Sequence, residues 1–379
     1  MSDSKKNGTF VTRIPSSKSL AHDGYPLTNR GDSIIFPAMA NQLPQRALGR
    51  TGLRVSALGF GGAVIGDLYS IIDESTALET IRTSLDGGVN LLDTSPLYGH
   101  GLSEHRIGAA LRQVPDRGFI ISTKIGRVTD PFSPRNHSET GYFGGAPHAV
   151  AFDYSGDGVM RSLEQSLLRL ARDNVDLVLV HDLEPGAHGD NYEAAFEQAI
   201  EEAVPALTRL RDQGVIKGYG IGVNDADAAE RFVRNSDPDA VLLAGRYSLL
   251  EQPAQKSFLP LAEERNIGLI LGGVFNSGIL ATGPVSDARY NYGKAPAEIL
   301  DRVKKIESVC LQHEVPLRTA ALKFVFGHPA ISSVVLGAAQ PSEVTSHFDD
   351  FNKPVPTELW TDLQNKKLIA HDTPVPGSI

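Results

Sequence analysis

Apolar positions follow two alternating patterns along the chain from about residue 48 onward. Short runs rich in β-branched residues and leucine, such as the run at 175–180, end abruptly at polar or turn residues, as buried strands do. Between these runs, apolar residues recur every three or four positions, as Leu78, Ile81 and Leu85 do, which is the period of an amphipathic helix. This alternation predicts a parallel sheet whose strands are connected by crossover helices.

Eight runs have the strand pattern, and eight parallel strands with intervening helices predict an α/β fold of the (β/α)8 TIM-barrel type. The runs lie at 57–60, 89–93, 119–124, 175–181, 216–223, 240–246, 268–271 and 333–336. We therefore expect one domain at 47–379, in which the amphipathic segment 357–368 forms an outer helix near the C-terminal end. Residues 1–46 have few periodic apolar positions, which predicts a flexible or surface-wrapping extension.

Composition and charge narrow the classes of function. The 379 residues carry a formal net charge of -9 and no basic run, which argues against binding to a nucleic-acid backbone. The sequence has no apolar run of membrane-spanning length and no signal segment at its start, so no membrane partner is expected. The single cysteine, Cys310, fits a reducing compartment. We expect a cytoplasmic protein that binds a small-molecule substrate, and no feature of the sequence indicates its oligomeric state.

Four polar residues lie at or just beyond the ends of predicted strands. Asp93, Lys124 and His181 each end a strand, and Tyr98 follows Asp93 on a turn-rich loop. Each alone has a common structural explanation, as a cap, a snorkelling lysine, a bonded core histidine or a half-buried aromatic residue. The strand ends of a parallel barrel share one mouth, where such barrels keep their active sites. The four placements together therefore favour a catalytic site.

The motifs around these residues resemble those of the aldo-keto reductase family. The similarity lies in LLDTSPLYGHGLSE, STK, LVHD and GIGVN, and it extends over most of 48–351. Three further segments are similar to those of the branch that oxidises aldoses at C1 or pyridoxal at its aldehyde carbon. They are DYSGDGVMRSLEQSLLRL, AGRYSLLEQ and FNSGIL. The resemblance implies a (β/α)8 barrel and a nicotinamide-dependent oxidoreductase that acts on a CH–OH group.

The resemblance also implies a catalytic role for each of the four residues. Tyr98 would exchange a proton with the reacting oxygen, Asp93 would pair with Lys124, and His181 would orient the substrate oxygen by a hydrogen bond. A free phenol has a pKa near about 10, and a neighbouring ammonium lowers it, so we expect Tyr98 to act as a phenolate during oxidation. The expected reaction is the NAD-dependent oxidation of an aldose, or of a similar cyclic hemiacetal, at C1 to a lactone.

Two alternative functions stay open from the sequence. Pyridoxal oxidised as its cyclic hemiacetal would also yield a lactone, so the four residues do not separate a pyridoxal 4-dehydrogenase from an aldose dehydrogenase. A cofactor-binding regulatory subunit without significant turnover would keep the same residues, as channel-associated members of the superfamily do. Pocket polarity separates the two substrates, because sugars need several hydrogen-bonding side chains and an aromatic ring needs apolar walls.

The stretch after the eighth strand predicts NAD rather than NADP as the cofactor. In the family, a lysine and an arginine six residues later often bind the adenosine 2'-phosphate, and these positions are Gly337 and Glu343 in this chain. A carboxylate repels a phosphate and can bind a ribose hydroxyl instead. The alternative is that Glu343 only opens a helix, where an acid is favourable.

The resemblance further implies a set of cofactor contacts, in which Asn224 would hold the nicotinamide amide. The implied positions are Asn224, Arg246, Gly272, Gly273, Phe275, Ser277, Gly278, Gly337, Ala338, Gln340, Glu343 and His347.

Three predicted loops, at 126–152, 182–192 and 275–296, follow strands and would rim the same mouth as the four polar residues. Their aromatic residues are expected to form walls of a substrate pocket. These residues are Phe132, Tyr142, Phe143, Tyr290 and Tyr292.

One segment matches the spacing of a calcium-binding loop. Asp153, Ser155, Asp157, Gly158 and Glu164 fall at the ligand and glycine positions of that motif. The segment from Gly158 onward is also an amphipathic helix pattern, and no helix is predicted before Asp153. A helix start is therefore favoured, and no metal is expected.

Overall fold

A computed structural model describes residues 43–115, 117–134 and 141–377 of the protein. Nearly all of the extension predicted at 1–46 therefore lies outside the described residues. Leu43 is already buried and a strand begins at Gln45, so packed structure begins a few residues before the predicted boundary at residue 47.

Eight parallel strands form a closed ring, as the sequence predicts. The strands in the described residues are β1 Gln45–Ala47, β2 Arg54–Ser56, β3 Leu58–Gly61, β4 Leu91–Asp93, β5 Ile120–Pro134, β6 His148–Asp153, β7 Leu177–His181, β8 Gly218–Val223, β9 Ala240–Ala244, β10 Gly268–Gly272, β11 Arg289–Tyr290, β12 Gly293–Lys294 and β13 Ile331–Leu336. The ring runs through β3, β4, β5, β7, β8, β9, β10 and β13, and β13 pairs with β3 to complete it. The fold is a (β/α)8 TIM barrel.

Helices cover the outside of the ring. They are α1 Glu74–Asp86, α2 Leu102–Leu111, α3 Gly156–Leu170, α4 Pro185–His188, α5 Tyr192–Gln198, α6 Val204–Asp212, α7 Ala226–Asn235, α8 Phe258–Glu264, α9 Ile279–Thr282, α10 Ala297–Gln312, α11 Leu317–Phe324, α12 Pro341–Asn352 and α13 Thr357–Asn365. A π-helical turn at Ala199–Ala203 joins α5 to α6. The predicted stripe of Ile81 and Leu85 is buried against the core, and α13 is the outer helix expected near the C-terminal end.

The interior of the ring is packed with aliphatic side chains at the end where the strands begin, and the β1–β2 hairpin contributes to this cluster. A Cβ atom on Gly268 would lie 2.6 Å from Cδ1 of Leu48, so only glycine leaves room for the leucine. The cluster consists of Leu48, Val55, Leu91, Ile120, Leu177, Leu179, Ala240, Leu242, Ile270 and Val335. Because this end of the ring is filled, a substrate has room only where the strands terminate.

The prediction of a loop at 126–152 is wrong over much of its described length. β5 continues beyond the ring to Pro134 and pairs antiparallel with β6, with Gly126 opposite Asp153. Gly126 has a φ of 96°, so the strand changes direction there instead of ending. The loop at 182–192 contains α4, and the loop at 275–296 contains α9 and the β11–β12 hairpin.

The segment with calcium-loop spacing is the start of α3, as the helix interpretation predicts. Ser155 is the N-cap residue, and its Oγ accepts a hydrogen bond from the backbone N–H of Gly158. Asp153 Oδ1 in turn accepts from both the backbone N–H and the hydroxyl of Ser155. The Ser155 hydroxyl thus provides an acceptor for a backbone N–H of the first helical turn, which is the ordinary role of serine at a helix start.

Candidate functional site

The structure brings the four predicted polar residues together at the mouth of the barrel. Asp93 and His181 are the last residues of β4 and β7, and Lys124 lies on β5 between these two strands. Tyr98 opens a short 3-10 turn, Tyr98–Gly101, that follows β4. Parallel pairing of neighbouring strands therefore places residues that are far apart in the sequence on one rim.

Asp93 and Lys124 form a fully buried ion pair. Lys124 Nζ lies 2.7 Å from Asp93 Oδ2 and also donates to the carbonyl oxygen of Thr94 at 2.8 Å. The Ser122 hydroxyl donates to the other carboxylate oxygen at 2.9 Å. Burial raises the pKa of Asp93, and the attraction of Lys124 and the hydrogen bond from Ser122 oppose this shift. These contacts fix the ammonium in one place.

The ring of Tyr98 lies close to both the ammonium of Lys124 and the ring of His181. Lys124 Nζ is 4.8 Å from the centre of the Tyr98 ring, and the His181 ring centre is 5.7 Å away at an interplanar angle of 81°. The turn that carries Tyr98 packs closely, since a Cβ atom on Gly99 would lie 2.4 Å from the carbonyl oxygen of Gly66. Glycine is also required at Gly99 by its φ of 61°.

The expectation that Lys124 makes Tyr98 a phenolate is wrong for this arrangement. Burial raises the pKa of Tyr98 well above its ordinary value, and the negative charges of Asp93 and Asp182 act in the same direction. Asp93 sits beside Lys124 and offsets its field, because an ion pair acts at a distance as a dipole rather than as a single charge. Tyr98 is therefore a neutral phenol at neutral pH.

His181 is buried and neutral. Burial lowers its pKa to about 3, and the nearby cations Arg127 and Lys124 contribute to this shift. Ser95 Oγ lies 3.0 Å from its Nδ1, and the Ser95 hydroxyl also accepts a hydrogen bond from the backbone N–H of Leu97. His181 is thus tied to the loop that carries Tyr98.

A cavity of about 440 Å³ opens at this mouth, and its walls are mainly aromatic and aliphatic. Of the aromatic residues predicted as walls, Tyr142, Phe143 and Tyr292 do line it. Phe132 is 95% exposed and lies outside the lining, because β5 carries it away from the ring. Tyr290 is also outside the lining, and its hydroxyl donates to Glu251 at 2.5 Å.

The lining includes further residues that the sequence did not single out. Tyr69 and Arg289 face each other across the cavity edge, with Arg289 Cζ at 5.0 Å from the centre of the Tyr69 ring. The aromatic, aliphatic and polar residues of the lining are Ala63, Leu68, Tyr69, Leu97, Tyr98, Lys124, Tyr142, Phe143, His181, Asp182, Val223, Asn224, Leu242, Ala244, Arg289 and Tyr292.

Comparison with known proteins gives the family. The family model described as "Aldo/keto reductase family" matches residues 57–367. The chain belongs to this family. It is 40% identical over 336 residues to the pyridoxal 4-dehydrogenase of Microbacterium luteolum, a match that covers 86% of this chain and 98% of that protein. It is 37% identical over 328 residues to the D-threo-aldose 1-dehydrogenase of a Pseudomonas species, with 85% and 97% covered.

The fold agrees with that of solved aldo/keto reductases. The holo form of an aldo-keto reductase from Bacillus halodurans superposes with a TM-score of 0.68 at 25% identity, covering 86% of this chain and 96% of that one. The chain described here is therefore an oxidoreductase that uses a nicotinamide cofactor and acts on a small-molecule substrate.

The positions implied for the nicotinamide end of the cofactor lie beside the cavity. Asn224 lines it, and its backbone N–H and side-chain Nδ2 donate to the carboxylate of Glu184 at 2.6 and 3.0 Å. The Asn224 carbonyl oxygen Oδ1 accepts from the Tyr292 hydroxyl at 3.3 Å. Arg246 Nε donates to the backbone carbonyl of Asn224 at 2.5 Å. Glu184 thus holds the side-chain amide of Asn224 in one orientation. The sequence did not single out Glu184.

The loop after β10 carries the next group of implied cofactor positions in this aldo/keto reductase. Gly273 and Gly278 have φ values of 60° and 98°, so the chain turns sharply there. Ser277 Oγ accepts a hydrogen bond from the backbone N–H of Tyr292, which joins this loop to the β11–β12 hairpin. A tight turn with glycine backbone at a strand end leaves room for a bulky cofactor to approach.

The remaining implied positions surround the start of α12. Glu343 lies in the first turn of the helix, and its Oε2 accepts a hydrogen bond at 2.9 Å from the backbone N–H of Ala339, the residue before the N-cap. His347 Nε2 lies 3.1 Å from the carbonyl oxygen of Gly337. The Phe275 and His347 rings are nearly parallel, with centres 6.1 Å apart. If the cofactor binds as the resemblance implies, the Phe275 and His347 rings would lie beside its adenosine moiety.

Arg318 on α11 is a cation near these positions that the sequence did not single out. Its Nη2 lies 2.7 Å from Nδ1 of His347, and its Cζ is 5.6 Å from the centre of the Phe275 ring. Its Nε lies 3.0 Å from the carboxylate of Asp350. Arg318 lies before the eighth strand in the sequence, and the packing of α11 on α12 brings it to the same place.

Two expected absences can be compared with the described part of the chain. Among residues 43–115, 117–134 and 141–377, no group of three or more His, Cys, Asp or Glu side chains is arranged to hold a metal ion. Within the same ranges, no helix combines the length and apolar character needed to cross a bilayer.

Proposed function

We propose that this aldo/keto reductase oxidises a cyclic hemiacetal at its anomeric carbon to a lactone with NAD as the hydride acceptor. The observation that carries the proposal is the meeting of Tyr98, His181 and the Asp93–Lys124 pair at one cavity wall. The relatives that oxidise pyridoxal and aldoses, according to their names, support the same class of reaction.

Each residue has a separate task in the proposed mechanism. The nicotinamide supplies the hydride chemistry, so the protein must hold the substrate and move one proton. The deprotonated fraction of Tyr98, which grows as the pH rises, accepts the hydroxyl proton during oxidation, and the neutral phenol returns it during reduction. His181, which is neutral, donates a hydrogen bond to the same oxygen and stabilises the negative charge that develops on it. Asp93 holds the ammonium of Lys124 beside the Tyr98 ring, so the pair positions Tyr98 without making it a phenolate at neutral pH.

The cavity walls support an aromatic hemiacetal, such as that of pyridoxal, ahead of an aldose. Tyr69, Tyr142, Phe143 and Tyr292 surround the space in front of Tyr98. Flat apolar walls bury an aromatic ring well, whereas a sugar requires a hydrogen-bond partner for each of its hydroxyl groups. An aldose remains the second candidate, because the carboxylate of Asp182 and the guanidinium of Arg289 also line the cavity.

The choice of NAD rests on the region around Glu343. A carboxylate at the start of α12 disfavours a 2'-phosphate by repulsion. Arg318 acts in the opposite direction, but its charge is partly compensated by Asp350 at 3.0 Å. We expect catalytic efficiency to be higher with NAD than with NADP, and Glu343→Arg to move the ratio towards NADP. Equal efficiencies in the wild type would contradict this part of the proposal.

The decisive experiment measures NADH formation from pyridoxal and from D- and L-aldoses with wild type and Tyr98→Phe. We expect the best substrate to be oxidised by the wild type and the variant to lose nearly all turnover while still binding NAD. Normal turnover by Tyr98→Phe would refute the assigned proton transfer. Tight binding of NAD without turnover of any substrate would instead support the regulatory-subunit alternative.

A further inference from the structure

Two side chains can contact Nδ1 of the buried His181. Ser95 Oγ lies 3.0 Å away and Arg127 Nη1 lies 3.3 Å away. A hydroxyl can donate or accept a hydrogen bond, but a guanidinium has only donors. Arg127 therefore requires Nδ1 to be an acceptor, and in a neutral imidazole this places the ring hydrogen on Nε2.

The other side of the imidazole ring agrees with this arrangement. His181 Nε2 lies 3.4 Å from Oδ1 of Asp182, and a carboxylate accepts hydrogen bonds but does not donate them. A hydrogen on Nε2 is attracted to this carboxylate, whereas a lone pair there would be repelled. Donors thus face Nδ1 and an acceptor faces Nε2.

We propose that Arg127 is a positioning residue that holds His181 as the Nε2–H tautomer, so that Nε2 donates a hydrogen bond to the reacting oxygen of the substrate. This inference rests on the role proposed above for His181. In this tautomer His181 has no free lone pair directed at the substrate hydroxyl. Proton removal is therefore left to Tyr98, and His181 only stabilises charge on the oxygen.

The extended β5–β6 hairpin holds Arg127 in place for this task. Arg127 and Phe152 are cross-strand partners, and Arg127 Cζ lies 4.1 Å from the centre of the Phe152 ring. Arg127 Nη1 also lies 2.8 Å from Oδ2 of Asp182. The aromatic face and the carboxylate restrict the guanidinium from two directions. Asp182 has a φ of 50°, a strained conformation for a residue other than glycine, and such strain is concentrated at functional sites.

Charged groups around His181 keep it neutral as well as oriented. Burial is the main cause of its lowered pKa, and Arg127 and Lys124 add to it, while Asp182 opposes it. The groups that face His181 from the neighbouring elements are Ser95, Tyr98, Lys124, Arg127, Asp182 and the Tyr154 hydroxyl, which donates to the His181 carbonyl oxygen. Loss of the Arg127 cation should therefore raise the pKa of His181.

The test observes the tautomer directly by long-range 1H–15N spectra of the full-length protein labelled with 15N-histidine. The signals of His181 are those missing from His181→Asn. We expect a single Nε2–H tautomer in the wild type and in Arg127→Lys, which keeps a side chain with donors only. Arg127→Met should show a mixture of tautomers and a higher pKa of His181. The kcat of Arg127→Met should fall by about tenfold to a hundredfold, the range found when a partner that orients a functional histidine is removed. Its Kd for NAD should be unchanged.

Two further variants make the outcome decisive. Ser95→Ala removes the other group near Nδ1 and should keep the Nε2–H tautomer, so loss of the tautomer in this variant would overturn the proposal in favour of Ser95. Arg161→Met is a matched control, because Arg161 also pairs with an aspartate of the hairpin, Asp153, at 3.3 Å but is exposed. It should leave tautomer and kcat unchanged. A pure Nε2–H tautomer in Arg127→Met would also overturn the proposal.

The tautomer measurement does not depend on turnover. If no substrate is oxidised by the wild type, the proposed function fails while the spectra still report whether Arg127 orients His181. If turnover is normal and the wild type shows the Nδ1–H tautomer, the proposed function stands and this inference fails.

Discussion

The Asp93–Lys124 pair allows the contribution of burial to an ion pair to be measured within one protein. Its nitrogen–oxygen distance is 2.7 Å, and its side chains are 3% and 1% exposed. Asp301 and Lys305 on α10 form a pair of nearly the same length, 2.6 Å, with side chains 61% and 62% exposed. The two pairs therefore differ mainly in their surroundings.

The magnitude follows from the distance and the dielectric environment. At 2.7 Å the Coulomb attraction is about 6 kcal/mol for an effective dielectric constant of about 20, and about 1.5 kcal/mol in bulk water. Asp93→Asn leaves the buried ammonium of Lys124 unpaired, and we expect it to lower the free energy of unfolding by about 3 to 5 kcal/mol. Asp301→Asn should lower it by less than about 0.5 kcal/mol, because an exposed pair on a helix is hydrated and screened by salt.

The assay is urea denaturation monitored by circular dichroism. It compares the wild type, both single variants and the double variant Asp93→Asn with Lys124→Met. The double variant removes both charges, so it should recover most of the stability lost by Asp93→Asn even though its activity stays low. The reasoning is refuted if Asp93→Asn costs no more than Asp301→Asn, or if the double variant is as unstable as Asp93→Asn.

Three further predictions use charges described above. Because burial raises the pKa of Tyr98, kcat/KM for oxidation should rise by about tenfold per pH unit from pH 7 to 9, whereas kcat/KM for reduction should change little. Initial rates in both directions test this prediction, and a flat pH profile for oxidation would contradict it. Arg318→Met should lower catalytic efficiency with NADP by about tenfold or more, as expected for loss of a charge-assisted contact, and should lower catalytic efficiency with NAD by less. An equal loss with both cofactors would exclude Arg318 from binding of the 2'-phosphate. Burial lowers the pKa values of His181 and His347 from 6.5 to about 3 and about 4, so below pH 6.5 the unfolded chain binds protons that the folded protein does not. The free energy of unfolding should therefore fall as the pH falls from 6.5 to 4, by up to about 1.4 kcal/mol per pH unit for each histidine. His347→Gln should weaken this pH dependence in denaturation curves, and an unchanged slope would argue against the explanation.

The barrel and the four polar residues could be predicted from the sequence, because both depend on local patterns. Strand and helix periods are visible in short windows, and a parallel barrel places the ends of all its strands on one face. Asp93, Lys124 and His181 needed no more than that rule. Tyr98 needed only its short distance from a strand end.

The residues that were missed depend on tertiary packing. Arg127 lies beyond a glycine that resembles a strand end, and its role follows from the bend of β5. Arg318 reaches His347 from a helix that is about 30 residues away in the sequence. The pKa of Tyr98 was predicted in the wrong direction because a sequence shows a neighbouring charge but not the degree of burial, which is the larger cause.

The pairing of β13 with β3 also affects how the protein can be made in a cell. Leu58 is opposite Val334, so this seam joins residues that are about 280 positions apart. At a synthesis rate of about 5 to 20 residues per second, the first strand waits roughly 15 to 60 s for its partner to be translated. During this time β3 has one unpaired edge, which can associate with other nascent chains. Slower initiation, for example at low inducer concentration, should therefore increase the soluble yield.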